Sequence, residues 1–172
     1  MSESFRQLLR ALPDFGDILP HFDPATASPD PTVLFREWFD EALAEGIPQP
    51  HAFSLATATA DAVVSSRMLI LKDIDDGNWQ FATSKLSRKG RELTANPNAA
   101  MNFYWSALGR QVRVCGAVHE LSAEESAADW NARPATDGSV NAAWQLYALH
   151  PTEIEFWQAS TDRHHVRHRY NL

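Results

Sequence analysis

Residues 53–72 read FSLATATADAVVSSRMLILK. Two runs rich in β-branched and apolar residues, Phe53–Thr59 and Val63–Leu71, flank a short Ala-Asp-Ala link, which is the pattern of a β-hairpin. Side chains alternate across a strand, so Arg67 and Leu69 share one face while Met68, Ile70 and Lys72 share the other. The two cations therefore point to opposite sides of one strand. Either they serve two different anions or they mark the strand's solvated ends.

Upstream, Asp30 followed by Pro31 predicts an N-cap with proline in the first helical turn. Leu34, Phe35, Trp38, Phe39, Ala42 and Leu43 then recur at three- and four-residue spacing, an amphipathic helix that stops at Gly46. Residues 1–31 are proline-rich and read as an irregular arm with a short helix around Phe5–Leu12, ahead of one domain over 32–172. Downstream, a turn at Asp73–Asn78 leads to a strand at Trp79–Thr83 and a short helix from Ser87 to Asn96. Strands follow at Ala99–Trp105 and Gln111–Glu120, and Ser122 with Glu125 forms a capping box for a helix running to about residue 132. Residues 135–141 read as loop, and Ile154–Gln158 and Arg163–Tyr170 as the last strands. Six or seven short strands with helices at the periphery predict a mainly β (α+β) domain, a closed or partly closed antiparallel barrel.

The chain has 172 residues, 44% hydrophobic and 22% charged, which suits one soluble domain with a real core. Its single cysteine, Cys115, precludes an internal disulfide and fits a reducing cytoplasm; on a strand it reads as a small buried hydrophobe. No apolar run is long enough for a membrane span, and the N-terminus lacks the basic-then-apolar pattern of a secretory signal. A net charge of −7 argues against nucleic acid as a partner. Any anion site must therefore be local.

Three local sites stand out. In Ser87-Arg88-Lys89-Gly90-Arg91 two cations occupy the first turn of a helix, where the dipole repels them unless an anion binds there too; a solvated basic helix is the plain alternative. Gln111 and Arg113 share one strand face, and an amide there either pairs with a flavin or pyrimidine edge or simply faces water. The run Arg163-His164-His165-Val166-Arg167-His168-Arg169-Tyr170 is the densest cationic stretch. As a strand it lines up Arg163, His165, Arg167 and Arg169; as a helix it would pair His164 with His168 as metal ligands, without a carboxylate or cysteine to complete the set; a disordered basic tail is a third reading. Walker-type, nucleophile-elbow and Rossmann glycine signatures do not occur.

Three segments in order resemble the pyridoxamine 5′-phosphate oxidase family. They are Arg67–Lys72 with Phe81-Ala82-Thr83 and Ser87–Leu93; Phe103-Tyr104-Trp105 with Gly109–Gly116; and Ile154–Gln158 with Arg163–Arg167. The resemblance covers roughly residues 32–170 and implies an FMN-binding split β-barrel that is a homodimer with FMN at its interface. Carried over, it implies that Arg67, Arg88 and Lys89 hold the FMN phosphate, and that Met68, Leu69, Ile70, Leu71, Ala82 and Thr83 line the ring and ribityl chain. Gln111, Trp157 and Arg167 would complete the FMN site. Lys72, Arg133 and Ser139 would take the phosphate of a B6 vitamer substrate, with Arg163 and His165 over its ring. The implied reaction is oxidation of pyridoxamine or pyridoxine 5′-phosphate, hydride passing to FMN and then to O2 as H2O2.

The chain departs from the family's pattern in four places. Asp129 stands where a tyrosine is expected, and a carboxylate there would repel a phosphate. The passage from Trp144 to Ile154 is short, with Gln145-Leu146 in place of a Gln-Ser pair that touches FMN. Val166 replaces a polar residue, and the sequence reaches Leu172 without a closing strand. Two other readings follow: an FMN oxidase of another substrate, as in phenazine biosynthesis, or a non-catalytic flavin- or pyridoxal-phosphate-binding protein.

Overall fold

The computed structural model describes residues 4–16, 18–134, 136 and 138–172. Helix α1 (Phe5–Ala11) is followed by α2 (Pro31–Ala44), β1 (Ala52–Ala58), β2 (Val64–Ile70), β3 (Asp73–Asp75) and β4 (Asn78–Ser84). Then come α3 (Arg88–Ala95), β5 (Asn98–Trp105), β6 (Arg110–Glu120), α4 (Ala123–Asn131), β7 (Trp144–Gln158) and β8 (Val166–Asn171). Every strand pair is antiparallel, and the pairing runs β2-β1-β5-β6-β7-β4-β3, with β8 on β7. No ladder joins β2 to β3 among the described residues; the chain instead runs straight from one into the other, through Leu71 N–H on His51 O (2.9 Å) and Lys72 N–H on Gln80 O (2.9 Å). This is a split barrel rather than a closed one.

The hairpin at 53–72 forms as its alternation predicts, with Leu55 opposite Arg67 and Thr57 opposite Ser65. On β2 the residues Val64, Ser66, Met68 and Ile70 face outward and Ser65, Arg67 and Leu69 inward. The proposed turn at 73–78 is instead a second hairpin, β3–β4. Its loop is only Asp76-Gly77, both with positive φ (46° and 74°), the two-residue turn whose twist suits a hairpin.

The larger correction concerns the end of the chain. In place of a strand confined to 154–158, β7 runs for 15 residues, pairing with β4 along Trp144–Leu149 and β8 along Glu153–Gln158 on one side and with β6 along Tyr147–Gln158 on the other. Pro151 is tolerated where the register shifts opposite Cys115 and Gly116, since a bulge needs no ladder donor there. Arg163 is not on the final strand: it sits in the preceding turn with φ 65°.

One aromatic-rich core fills the barrel. Helix α2 lays Leu34, Phe35, Trp38 and Ala42 across its mouth. The Phe35 ring meets Trp79 at 4.5 Å and Phe103 at 5.1 Å, and Trp38 meets Phe156 edge-on at 5.2 Å. Burying each such ring is worth about 1.5–3 kcal/mol and supplies most of what holds α2 to the sheet. Arg110, 2% exposed, is the polar exception: its guanidinium lies 4.2 Å over Trp38, 2.7 Å from Glu41 and 2.9 Å from the Gln158 amide oxygen. No described helix is long and apolar enough to cross a membrane.

Candidate active site

Three clusters hold the residues singled out from the sequence. The first is at the start of α3. Ser87 caps the helix through Gly90 N–H (3.2 Å), and Gly90 is required there: a Cβ would lie 2.5 Å from Lys85 O and 2.6 Å from Ser84 O. Arg67 reaches across β1, donating to Thr57 Oγ1 and Ser65 Oγ, each at 2.5 Å. Its Nη2 lies 3.3 Å from the buried carboxylate of Glu92, which also receives Arg88 Nε at 2.7 Å. The Thr57 hydroxyl (2.5 Å) and the Ser65 hydroxyl (2.8 Å) donate to the same carboxylate.

These bonds, the one from Thr57 foremost, hold Glu92 down to about 2 although burial opposes its ionisation. Burial and then the charge of Arg67 also push Lys89 below its ordinary value, which for an ammonium disfavours the charged form. Two guanidiniums (Arg67, Arg88) thus share one carboxylate and the Lys89 ammonium stands near Arg67, three cations to one anion at a helix N-terminus. Beside them, Ala82 and Thr83 are buried on β4. Leu69 and Leu71 turn inward, and Met68 (64% exposed) and Ile70 outward.

The second cluster lies on the outer sheet face. Tyr104 on β5 is directly opposite Gln111 on β6, Gln111 is opposite Trp157 on β7, and Trp157 is opposite Arg167 on β8. Directly opposed residues share a face, so these four side chains form one row. His165 stacks beside Trp157 (4.9 Å between ring centres), and its Nδ1 accepts Ser160 N–H at 3.0 Å. That bond assigns the ring proton to Nε2, leaving it available as a donor. Arg163, 79% exposed, pairs with Asp14 of the N-terminal arm at 2.8 Å, and Phe15 packs on Trp157 and His165 at 6.0 and 6.3 Å. A cleft of about 570 Å³ is formed there between the arm and residues 157–165.

The third cluster gathers the predicted phosphate cations of the substrate. Lys72 Nζ lies 3.0 Å from Asp129 Oδ1, and Trp144 Nε1–H donates to Asp129 Oδ2 at 2.8 Å. The Arg133 guanidinium lies over Trp130 at 4.8 Å and Trp144 at 4.3 Å, and Trp130 Nε1–H donates to Ser139 O at 2.7 Å.

A single chain keeps these clusters apart. Arg67 lies in register with Leu55, Met101 and Val114, which line the core, whereas Gln111 is on the outer face and β1 and β5 intervene. Trp144 and Trp157 are 13 residues apart on β7, roughly 40 Å of strand. The Gln145 amide donates to Leu121 O and Leu146 O, both at 2.7 Å, so it is occupied as a structural group. Glu92, Thr57 and Ser65 were not anticipated as part of the site. The four-residue spacing of Arg88 and Glu92 was the available signal, while the hydroxyls are brought in only by strand pairing.

The sequence profile described as pyridoxamine 5′-phosphate oxidase matches residues 39–158. The chain belongs to this family. The pyridoxine/pyridoxamine 5′-phosphate oxidase of Cupriavidus taiwanensis is 37% identical, over 90% of this chain and 89% of its own length. Among solved structures, PhzG from Burkholderia lata 383, in complex with tetrahydrophenazine-1-carboxylic acid, superposes with a TM-score of 0.82 at 29% identity, covering 93% of this chain and 94% of its own. A pyridoxamine 5′-phosphate oxidase-related, FMN-binding protein from Nostoc punctiforme shares the fold, with a TM-score of 0.61 at 14% identity, over 86% of this chain and 99% of its own. As a member of the pyridoxamine 5′-phosphate oxidase family, the chain is an FMN-type oxidoreductase.

Proposed function

We propose that this chain binds FMN and oxidises a planar heteroaromatic amine or alcohol as a homodimer, with residues 32–172 as the FMN-binding domain and 1–31 as an arm. The observation that carries the reading is the charge balance at α3: Arg67, Arg88 and Lys89 exceed Glu92 by two positive charges, the complement of a phosphate dianion. When bound, FMN supplies the acceptor for a substrate hydride and passes the electron pair to O2, giving H2O2.

The protein's own groups position and protonate. Glu92 holds the Arg67 and Arg88 guanidiniums in place for the phosphate, and an arriving anion would favour the charged form of Lys89, which burial and Arg67 disfavour. The outer edge of β2, unpaired among the described residues, at Met68–Ile70, with Leu71, Ala82 and Thr83, would line the ribityl chain and ring. Gln111, Trp157 and Arg167 offer an amide, an indole face and a cation along one row, suited to the polar rim and plane of the isoalloxazine. His165 Nε2–H would fix the substrate's amine or hydroxyl, and Arg163 would favour its deprotonation.

The separation of the clusters supports the homodimer: a cofactor touching both Arg67 and Gln111 would meet opposite faces of one chain's sheet unless a second copy supplied one set. For the substrate, the names of relatives point to pyridoxine or pyridoxamine 5′-phosphate, with Lys72, Arg133 and Ser139 as its phosphate ligands. The Lys72–Asp129 pair favours a ring without phosphate, as in the compound that PhzG holds.

Titration of the apo protein with FMN, read by flavin fluorescence quenching, tests the core of this reading. We expect one FMN per subunit of a dimer in sedimentation, and an affinity at least tenfold weaker in Lys89→Ala, about 1.4 kcal/mol. A folded protein that does not take up FMN overturns it.

A further inference from the structure

Asp129 sits where a substrate phosphate would need positive charge. Its Oδ1 is 3.0 Å from Lys72 Nζ and its Oδ2 accepts the Trp144 indole N–H at 2.8 Å, so both oxygens are engaged on the side that Lys72 would offer a ligand. The side chains are only 23% and 13% exposed, and water screens the pair poorly. The second expected cation, Arg133, lies over the indoles of Trp130 and Trp144, 4.8 and 4.3 Å from their ring centres. Lys72 and Arg133 less Asp129 leave one net positive charge against a dianion, within a wall that is largely aromatic.

We propose that Asp129 is a specificity-determining residue that excludes phosphorylated substrates, so that the ring compound oxidised at this site carries no phosphate. The inference rests on the FMN-oxidase reading and names its substrate class. A phosphate approaching Lys72 meets the carboxylate first. Displacing that carboxylate breaks its ion pair and leaves the Trp144 N–H without its acceptor, a cost with no counterpart for a neutral ring. A phosphate-free planar ring leaves the pair intact and can lie against the indoles.

The test compares 4-deoxypyridoxine with its 5′-phosphate, neither oxidisable at the deoxy carbon, binding to the FMN-loaded dimer by calorimetry. Flavin content is read separately from the visible spectrum. A protein without flavin signals failure of the FMN reading, whereas the phosphate preference decides this one. In the unsubstituted protein the phosphate should bring no gain in affinity. Asp129→Asn, which keeps an acceptor for Trp144, should bind the phosphate form at least tenfold more tightly and the phosphate-free form within threefold. The double variant with Lys72→Gln should lose that gain, which a merely structural role for Asp129 would not produce. A tenfold preference for the phosphate form in the unsubstituted protein overturns the proposal. So does an Asp129→Asn protein that gains nothing, including one that binds neither form.

Discussion

Replacing Gly90 with alanine should weaken the protein and its cofactor site together. The new Cβ would be 2.5 Å from Lys85 O, 2.6 Å from Ser84 O and 2.8 Å from the Lys85 carbonyl carbon. All three are backbone atoms, so no side chain can swing aside. Restoring an ordinary contact of about 3.4 Å requires the first turn of α3 to lift by roughly 0.9 Å from the end of β4. Overpacking of this kind costs about 1–3 kcal/mol, and at this chain length that lowers Tm by about 3–10 °C. The displaced turn carries Arg88 and Lys89, whose proposed charge-assisted bonds to the FMN phosphate depend on geometry. FMN affinity should therefore fall at least tenfold, about 1.4 kcal/mol. Calorimetric melting of the apo protein and flavin fluorescence titration measure the two effects. Gly46→Ala is the control: its φ is 67° but nothing lies within 4 Å, so it should lower Tm without changing FMN affinity. A Gly90→Ala protein with unchanged Tm and affinity would refute the close packing of α3 on β4 and its role in the site.

Glu92, held near 2 against an ordinary 4.5, contributes stability that is complete above about 4.5 and lost as pH falls toward 2. Glu92→Gln should lower Tm at neutral pH and lack that acid-side loss, so the two melting curves converge on acidification; parallel curves would count against the ionised, bonded carboxylate. The Tyr147 hydroxyl is buried without a partner among the described residues and is pushed up to about 12 by burial and then by the charge of Glu120. Tyr147→Phe should leave Tm unchanged or raise it by a few degrees, and a fall of several degrees would mean that the hydroxyl is bonded. Arg163→Ala and His165→Phe should each reduce turnover about 10²-fold or more with FMN affinity within threefold, checked by peroxide-coupled kinetics; near-normal turnover removes them from the chemistry.

The hairpin at 53–72, α2, and the capped starts of α3 and α4 were legible in the sequence because each is fixed by local spacing: period two, period three to four, and Ser87 or Ser122 three residues ahead of the N–H it accepts. The first half of β7 was not. Gln145, His150 and Pro151 interrupt its apolar pattern, and the segment is extended because β4 and β6 pair with it on both sides, which no local window contains. Arg163 escaped because its turn uses a left-handed backbone at a residue that is not glycine. The cations of the site were all legible and so, through the family resemblance, was Asp129 as a charge that would repel a phosphate; which cation each carboxylate holds was not. Glu92 and Asp129 are each an ordinary acidic residue on a helix until the fold sets one against Arg67 and the other against Lys72.

That pairing makes the two anion sites of the chain unequal. At α3 one carboxylate is shared by two guanidiniums with an ammonium to spare, so the cluster is organised and still strongly positive. At Lys72 one carboxylate faces one ammonium, with its second oxygen fixed by an indole, so the cluster is organised and nearly spent. The same residue types therefore support phosphate binding in the first place and oppose it in the second. On the proposed reading, the strand that joins Trp144 to Trp157 sets the remaining condition, since a ring held near Lys72 would meet Arg163 and His165 from a second copy. On this reading cofactor retention, substrate charge and turnover are separable, and the Lys89, Asp129 and Arg163 substitutions address them one at a time.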